Sequence, residues 1–198
     1  MIRNIVLDMG NVCCRWDVSY IVQALTSHKD MQQLIKNKVF LSSQWQLLDA
    51  GEISLVHAEK EMSENLLENE KQMIHQALYH WHDHFDQYDM MEQYIMHWKE
   101  EGYRLFLLSN CSLQFFDYFQ NKSIFSHFDG YYISAQHHLL KPDIRIYEDF
   151  LCRFQLTAKE CLFVDDVEEN VIAARKTGMN AMIYDGNPDA VEKILDSI

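Results

Sequence analysis

The sequence predicts an α/β protein built on a doubly wound parallel sheet, with an all-helical segment inserted after the first strand. Five short apolar runs have the composition of buried strands, at residues 4–7, 103–108, 130–133, 161–164 and 181–184. Helix-like segments separate the later runs. Near-continuous apolar strands that alternate with helices are typical of a parallel sheet covered on both faces.

Helices are expected between and after the later strands, at residues 112–121, 143–154, 167–177 and 188–198. Gly178 follows the third of these segments, where a left-handed residue commonly ends a helix. This order of elements supports the parallel sheet.

The segment between the first two strands is polar and has helical rather than strand spacing. Ser54 precedes a run with apolar residues at every third or fourth position, and residues 89–101 repeat that spacing. We therefore expect a core domain made of residues 1–16 and 100–198, and a helical cap at residues 17–99.

Composition excludes several functional classes. The formal charge of −13 disfavours nucleic acid and anionic membranes as partners, because both kinds of binding begin with basic side chains neutralising phosphates. The five cysteines form no C-x-x-C pair, which argues against a disulfide framework and a zinc site. No apolar run approaches the ~20 residues that cross a bilayer, and no signal peptide precedes the first strand, so a cytoplasmic location is expected. No pattern specifies an oligomeric state.

Polar side chains stand where three of the predicted strands end. Asp8 follows the first strand, Ser109 and Asn110 follow the second, and Asp165 and Asp166 follow the fourth. Because the carboxyl ends of parallel strands line one crevice of an open sheet, these side chains should converge there.

Charge counting predicts what binds in this crevice. Lys141 lies in a loop that can reach it, but one lysine leaves two of the three carboxylates of Asp8, Asp165 and Asp166 uncompensated. A divalent cation resolves the imbalance. Oxygen-only ligands select Mg²⁺, which commonly pairs with a substrate phosphate.

Four stretches carry a resemblance to a known superfamily. They are residues 5–12 (IVLDMGNV), 107–110 (LLSN), 141–148 (KPDIRIYE) and 162–166 (LFVDD). They resemble, in order, the signature motifs of the haloacid dehalogenase-like hydrolase superfamily. Residues 170–178 extend the last motif in the manner of its helical-cap branch, and the Gly-Asn pair after Asp8 is similar to the glucose-1-phosphate phosphatase subgroup.

The resemblance implies a Mg²⁺-dependent phosphatase that hydrolyses a small phosphorylated metabolite, a sugar phosphate above all. Asp8 would attack phosphorus and form an aspartyl-phosphate, which splits one displacement into two easier ones. The metal would be held by Asp8, the backbone carbonyl of Gly10 and Asp166, with Asp165 close by in support.

The resemblance also implies how the substrate is bound. Ser109 and the backbone of Asn110 would bind phosphate oxygens, helped by the N-terminus of the following helix. Lys141 would neutralise the transferring phosphoryl group, and Gly10 would also contact the substrate.

The sequence departs from the superfamily pattern at Gly10, where most of its phosphatases carry a second Asp that protonates the leaving oxygen. Such acid–base help is typically worth ~10²–10⁴ in rate. A sugar 1-phosphate has a better leaving group than an ordinary alkyl phosphate and so depends less on a general acid. Alternatively, Asn11, Asp17 or a cap histidine substitutes, or the chain is a weakly active phosphate-binding protein.

Two other functions compete. A hydrolytic dehalogenase of the same superfamily also lacks the second Asp, because a halide needs no proton, but it does not need the acidic pair Asp165 and Asp166. A phospho-accepting receiver domain carries its acidic pair on the first strand rather than the fourth, and this order argues against one.

Two weaker signals lie in and beside the predicted cap. The histidines of residues 80–84 (HWHDH) could form a metal site, but a third ligand is not evident. A solvated polar stretch is the simpler interpretation. Trp16 lies where the cap departs and is a candidate platform for a substrate ring. A hinge aromatic between the domains is the alternative.

Overall fold

A computed structural model describes residues 1–197 of the chain. Its sheet has five parallel strands in the order β3-β2-β1-β4-β5. They are β1 (Asn4–Leu7), β2 (Arg104–Ser109), β3 (Gly130–Ile133), β4 (Cys161–Asp165) and β5 (Asn180–Ile183). The predicted α/β class and parallel sheet are confirmed.

The strand register brings the polar residues level with one another. Leu7 pairs with Leu107 on one side and with Val164 on the other, so Asp8 leaves the sheet beside Asp165. Strand β1 is buried along its whole length because it lies between two neighbours and is covered on both faces. Asp8 and Asp165 therefore lie together at the carboxyl ends of the central strands.

Each face of the sheet has its own core. Val6, Phe106 and Phe163 point to the face that α8 (Ile144–Arg153) and α9 (Glu168–Lys176) cover. The opposite face carries alternate residues of the same strands. It is covered by helices that include α10 (Asp189–Ser197), through its buried residues Val191 and Leu195.

Helix α7 (Gln114–Tyr118) is shorter than the predicted helix at 112–121. The chain is still turning away from β2 at Ser112 and Leu113, and the next turn, Ser123–His127, is a separate 3-10 helix. The predicted helix therefore begins two residues early and ends three residues late, because apolar spacing does not locate helix ends closely.

The segment between β1 and β2 contains helices joined by short turns. They are α1 (Val18–Leu25), α2 (Lys29–Ile35), α3 (Ser43–Asp49), α4 (Leu55–Met62), α5 (Glu68–His80) and α6 (Asp89–Glu100). Side-chain caps begin three of them: Asp17, Ser42 and Ser54 each accept a hydrogen bond from a backbone N–H in the first turn.

Helix α6 ties this segment to the sheet. Its buried residues Ile95 and Trp98 belong to the same core as the strands, and the indole of Trp98 donates to Glu192 of α10 at 2.5 Å. Lys99 pairs with Asp129, just before β3, at 2.7 Å. None of the helices within residues 1–197 combines the length and apolar character needed to cross a membrane.

Gly51 fixes the approach of the inserted helices to the sheet domain. Its φ is +68°, and a Cβ placed there would lie 2.1 Å from the carbonyl oxygen of Ala135. We expect Gly51→Ala to lower the free energy of unfolding by roughly 2–4 kcal/mol, because left-handed strain and a backbone clash add. Urea unfolding followed by tryptophan fluorescence measures this change.

Gly102→Ala is the matched control for this prediction. Gly102 has a φ of +91°, yet an added Cβ would meet nothing within 4 Å. It should therefore lose only the ~1–2 kcal/mol of backbone strain. Equal losses for both variants would contradict a tight contact at Gly51.

Candidate active site

Lys141 lies between two carboxylates at the carboxyl end of the sheet. Its ammonium Nζ is 2.8 Å from Oδ1 of Asp8 and 2.6 Å from Oδ2 of Asp165. The lysine side chain and that of Asp165 are almost completely buried. The three groups form a buried ion cluster, in which each charge depends on the others for compensation.

The pKa values reflect this burial. Burial raises the pKa of Asp8 to about 6, and the negative charge of Asp165 adds to that rise, while Lys141 opposes it. Burial lowers the pKa of Lys141, but the two carboxylates more than offset this effect, so its pKa is raised and the amine stays charged. One lysine therefore does not fully stabilise the ionised form of Asp8.

Asp165 serves as an anchor for this cluster. Its carboxylate accepts hydrogen bonds from the side-chain amide of Asn170 at 3.0 Å and from the backbone N–H of Val167 at 2.8 Å. It also accepts one from the ammonium group of Lys141. These donors occupy both of its oxygens, which suits the supporting role that the sequence predicts for Asp165.

Asp166 points to the same small volume. Oxygen atoms of Asp8, Asp165 and Asp166 lie within 4.8 Å of one another. Within residues 1–197 no other cluster of three potential metal-ligating side chains is found. Three carboxylates against one lysine is a donor set that fits a hard divalent cation. The side chain of Asn11 donates to Asp166 at 2.9 Å and orients it.

Gly10 leaves room for an aromatic side chain. A Cβ at position 10 would lie 3.2 Å from the Cβ of Trp16, so Trp16 packs where a side chain at position 10 would begin. Asn11 supports this arrangement with a φ of 55° and a side-chain oxygen that accepts from the backbone N–H of Trp16 at 3.0 Å.

Asn110 holds the loop that carries Lys141. Its side-chain amide donates to the carbonyl of Lys141 at 2.9 Å and accepts from the backbone N–H of the same residue at 2.8 Å. Its side chain thus positions the lysine, a role that the sequence did not predict. Ser109 is buried at the end of β2, and both residues line the cavity described next.

A cavity of about 350 Å³ opens above these groups. Asp8, Asp166 and Lys141 lie at its polar end, and aromatic side chains form much of the remaining wall. These aromatics are Trp16, Phe40, Trp45, Trp81, Phe85 and Phe119. The ring of Trp16 stacks on Trp45 with centroids 5.9 Å apart and meets Trp81 edge-on at 5.3 Å.

The residues proposed to replace the missing acid differ in where they lie. Asn11 lines the cavity but is engaged with Asp166 and Trp16. Asp17 caps helix α1 and pairs with Arg15 at 2.9 Å, and it is not part of the cavity wall. Among the histidines of residues 17–99, His84 reaches the cavity. The stretch Trp81–His84 is a 3-10 turn, so His80 and His84 do not share an α-helical face as a metal interpretation would need.

A family model for haloacid dehalogenase-like hydrolases matches residues 23–184. The chain belongs to this family.

Part of the chain is similar in sequence to a phosphatase. Over 52 residues, 26% of each protein, the chain is 48% identical to the sesquiterpene phosphatase astK of Aspergillus oryzae. The curated relatives are matched over 26% to 44% of their own length.

Solved structures of this family share the fold of the chain. An enzyme from Bacteroides thetaiotaomicron, solved with magnesium and inorganic phosphate, superposes with a TM-score of 0.73 at 19% identity, covering 94% of this chain and 96% of that one. An L-2-haloacid dehalogenase from Xanthobacter autotrophicus, solved with covalently bound chloropropionic acid, gives 0.66 at 16% identity, covering 91% and 76%.

Some residues of this site carry no signal in the sequence. Asn170 lies in the first turn of α9, and its side-chain amide donates to Asp165 at the end of β4. Helical spacing could not identify this pair, because the two residues belong to different elements. Trp45 and Trp81 line the cavity, and the sequence pattern does not single them out. Asp49 lines the cavity as well, and nothing in its local sequence indicates this.

Proposed function

We propose that the chain is a Mg²⁺-dependent phosphatase that hydrolyses a small phosphomonoester through an aspartyl-phosphate on Asp8. One observation carries the proposal: a buried lysine bridges Asp8 and Asp165 beside Asp166, and the cluster faces a cavity. Residues 17–99 would act as the cap of this hydrolase over the core made of 1–16 and 100–198.

The residues of the site have distinct tasks in this proposal. An oxygen of Asp8 attacks phosphorus, and the bond to the leaving oxygen breaks. Lys141 stabilises both the ionised nucleophile and the negative charge of the transferring group. Ser109 and the backbone of Asn110 bind phosphate oxygens, and the Asn110 side chain keeps Lys141 in place.

Magnesium suits this set of ligands. Asp8, Asp166 and the carbonyl of Gly10 would hold the ion, and Asp165 would support it. When bound, the ion supplies positive charge for the substrate phosphate and for the ionised nucleophile.

The acidic pair favours phosphate chemistry over dehalogenation. Displacement of a halide needs neither a metal nor a general acid, whereas Asp166 beside Asp8 adds negative charge that would hinder an unassisted carboxylate nucleophile. The dehalogenase alternative keeps one supporting observation, since aromatic side chains form much of the wall around the nucleophile.

The cavity wall suggests two classes of substrate. A sugar phosphate, and a hexose 1-phosphate first, would place a ring face on Trp16, while the hydroxyls would need polar partners in the cavity. The phosphate ester of an apolar alcohol would fill the aromatic part of the cavity with its hydrocarbon. The name of the Aspergillus relative supports testing this second class as well.

The decisive experiment is a phosphatase screen with and without Mg²⁺. The panel contains hexose 1-phosphates, hexose 6-phosphates, nucleotides, phosphoserine, prenyl monophosphates and p-nitrophenyl phosphate, with 2-chloropropionate as the dehalogenase substrate. We expect multiple turnovers on a phosphomonoester and at least ~100-fold loss when EDTA removes the metal, because the carboxylates are then uncompensated.

Other outcomes of the screen separate the alternatives. Release of chloride in the presence of EDTA would establish the dehalogenase. Stoichiometric phosphate binding without turnover would establish a binding protein. Either result contradicts the proposed function.

A further inference from the structure

The cavity contains a carboxyl group that the proposed mechanism has not used. Of the described residues that line the cavity, three carry a carboxyl group: Asp8, Asp49 and Asp166. Asp8 and Asp166 belong to the lysine and metal end of the site. Asp49 is the last residue of helix α3 and reaches the cavity from the inserted helices.

The backbone of Asp49 is held firmly against the sheet domain. Its carbonyl accepts a hydrogen bond from Oγ of Ser134 at 2.5 Å, and that hydroxyl accepts in turn from the backbone N–H of Cys111 at 2.9 Å. Two residues later, Gly51 packs on the carbonyl of Ala135 too closely for any side chain. The position of Asp49 is therefore set by the core loops and not only by its own helix.

The main chain of Asp49 is tied to the loop that follows β2. The hydroxyl of Ser134 links its carbonyl to the backbone N–H of Cys111, two residues after the predicted phosphate ligand Ser109. This link brings Asp49 to the segment that would bind the substrate phosphate, and Asp49 lines the same cavity as Asp8.

The protonation state of Asp49 suits a proton donor. Burial raises the pKa of its carboxyl well above the ordinary range, and the N–H of Ser112 offsets only part of the rise. A carboxylic acid that is protonated in the resting site can give up its proton when a strongly basic leaving oxygen forms beside it.

We propose that Asp49 is the general acid and base of this site, acting from the inserted helices in place of the carboxyl that Gly10 lacks. This inference rests on the proposed phosphatase function and assigns the proton transfer within it.

The proton and the bonds balance over the two steps. In the first, Asp8 forms a bond to phosphorus, the bond to the leaving oxygen breaks, and that oxygen takes the proton of Asp49. In the second, the carboxylate of Asp49 takes a proton from water as the water oxygen attacks phosphorus. The bond from phosphorus to Asp8 breaks, inorganic phosphate leaves, and Asp49 is protonated again.

His84 is the competing proton donor, because it also lines the cavity. It lies in the 3-10 turn Trp81–His84, next to Phe85 of the aromatic wall. The main chain of Asp49, in contrast, is linked through Ser134 to Cys111, in the loop that leads from Ser109 and Asn110. This difference favours Asp49 for a group that must reach the oxygen bound to phosphorus.

The dependence of rate on the leaving group tests the assignment. We would measure kcat/KM for p-nitrophenyl phosphate, whose leaving group needs no proton, and for 2-phenylethyl phosphate, whose leaving group does. The variants are Asp49→Asn, which keeps the size of the side chain and removes its acidic proton, and His84→Ala. Glu52→Gln is the matched control, since Glu52 is exposed, lies in the turn that follows α3 and is not among the residues that line the cavity.

For Asp49→Asn we expect kcat/KM to fall 10²–10³-fold on 2-phenylethyl phosphate and less than about fivefold on p-nitrophenyl phosphate. The ratio kcat/KM reports the first displacement, so a slower second step does not blur the comparison. Glu52→Gln should change neither value more than twofold.

Three results would overturn the assignment: equal losses on both substrates, no loss on either, or the selective loss in His84→Ala instead. A separate result would contradict the proposed phosphatase function itself. In that case the unmodified protein would show no Mg²⁺-dependent hydrolysis of p-nitrophenyl phosphate.

Discussion

Replacing Asp8 with Asn is expected to abolish phosphatase turnover, with a loss of roughly 10⁴-fold or more. The amide is nearly the same size but is not a nucleophile, so the covalent step is lost altogether. The protein should fold normally. Burial of the ionised carboxyl is unfavourable, as the raised pKa of Asp8 shows, so the melting temperature should stay the same or rise.

Two measurements check this prediction. Steady-state kinetics with Mg²⁺ gives the rate. Mass spectrometry after acid quenching should detect one added phosphoryl group on the unmodified protein and none on Asp8→Asn. Asp17→Asn is a suitable control, because Asp17 caps helix α1 and Asn caps helices equally well. An Asp8→Asn variant with substantial activity would refute the covalent mechanism.

Replacing Lys141 with Met should damage both activity and stability. The change leaves Asp8 and Asp165 facing each other without the ammonium group that now lies within 2.8 Å of both. Breaking a buried ion pair from one side typically costs about 3–5 kcal/mol of unfolding free energy. Activity should fall at least ~10²–10³-fold, because the transferring phosphoryl group loses its stabilising charge.

Urea unfolding of single and double variants tests the physical cause. In the Asp8→Asn background, Lys141→Met should destabilise the fold less, because one of the two buried carboxylates is gone. The penalty should also shrink as the pH falls from 7 towards 4, since burial raises the pKa of Asp8 and its protonation removes part of the unfavourable charge. A penalty independent of pH would mean that lost packing, not charge, is responsible.

Lys99→Met is the control for an ion pair of similar length. Lys99 and Asp129 are 2.7 Å apart, but both side chains are about one-third exposed. Because surface pairs contribute little, this variant should lose less than about 1 kcal/mol. The contrast with Lys141 isolates the effect of burial.

The strands were predictable because the signal for them is local. Near-continuous apolar runs bounded by polar residues placed β1 at Asn4–Leu7 and β3 at Gly130–Ile133 as the structure has them. Helix ends were less accurate. The helix predicted at 112–121 spans only Gln114–Tyr118, because apolar spacing shows that a helix is present but not where its ends lie.

The sequence by itself determined which residues stand at the edge of the sheet. Order along a parallel sheet and the end of each apolar run are enough to bring Asp8, Asp165 and Ser109 to one edge, whatever the loops do. Charge counting at that edge also pointed to a divalent cation and hence to phosphate.

Tertiary structure alone decided what surrounds that edge. The clamp of Asn110 on Lys141, the aromatic wall around Trp45, and the carboxyl of Asp49 all depend on how separate loops pack against one another. Helical periodicity shows which face of an inserted helix is buried, but not which loop of the sheet domain it will meet. The end of helix α3 meets the loop after β2 because Ser134 and Gly51 fix it there, and contacts so distant in sequence leave no local pattern.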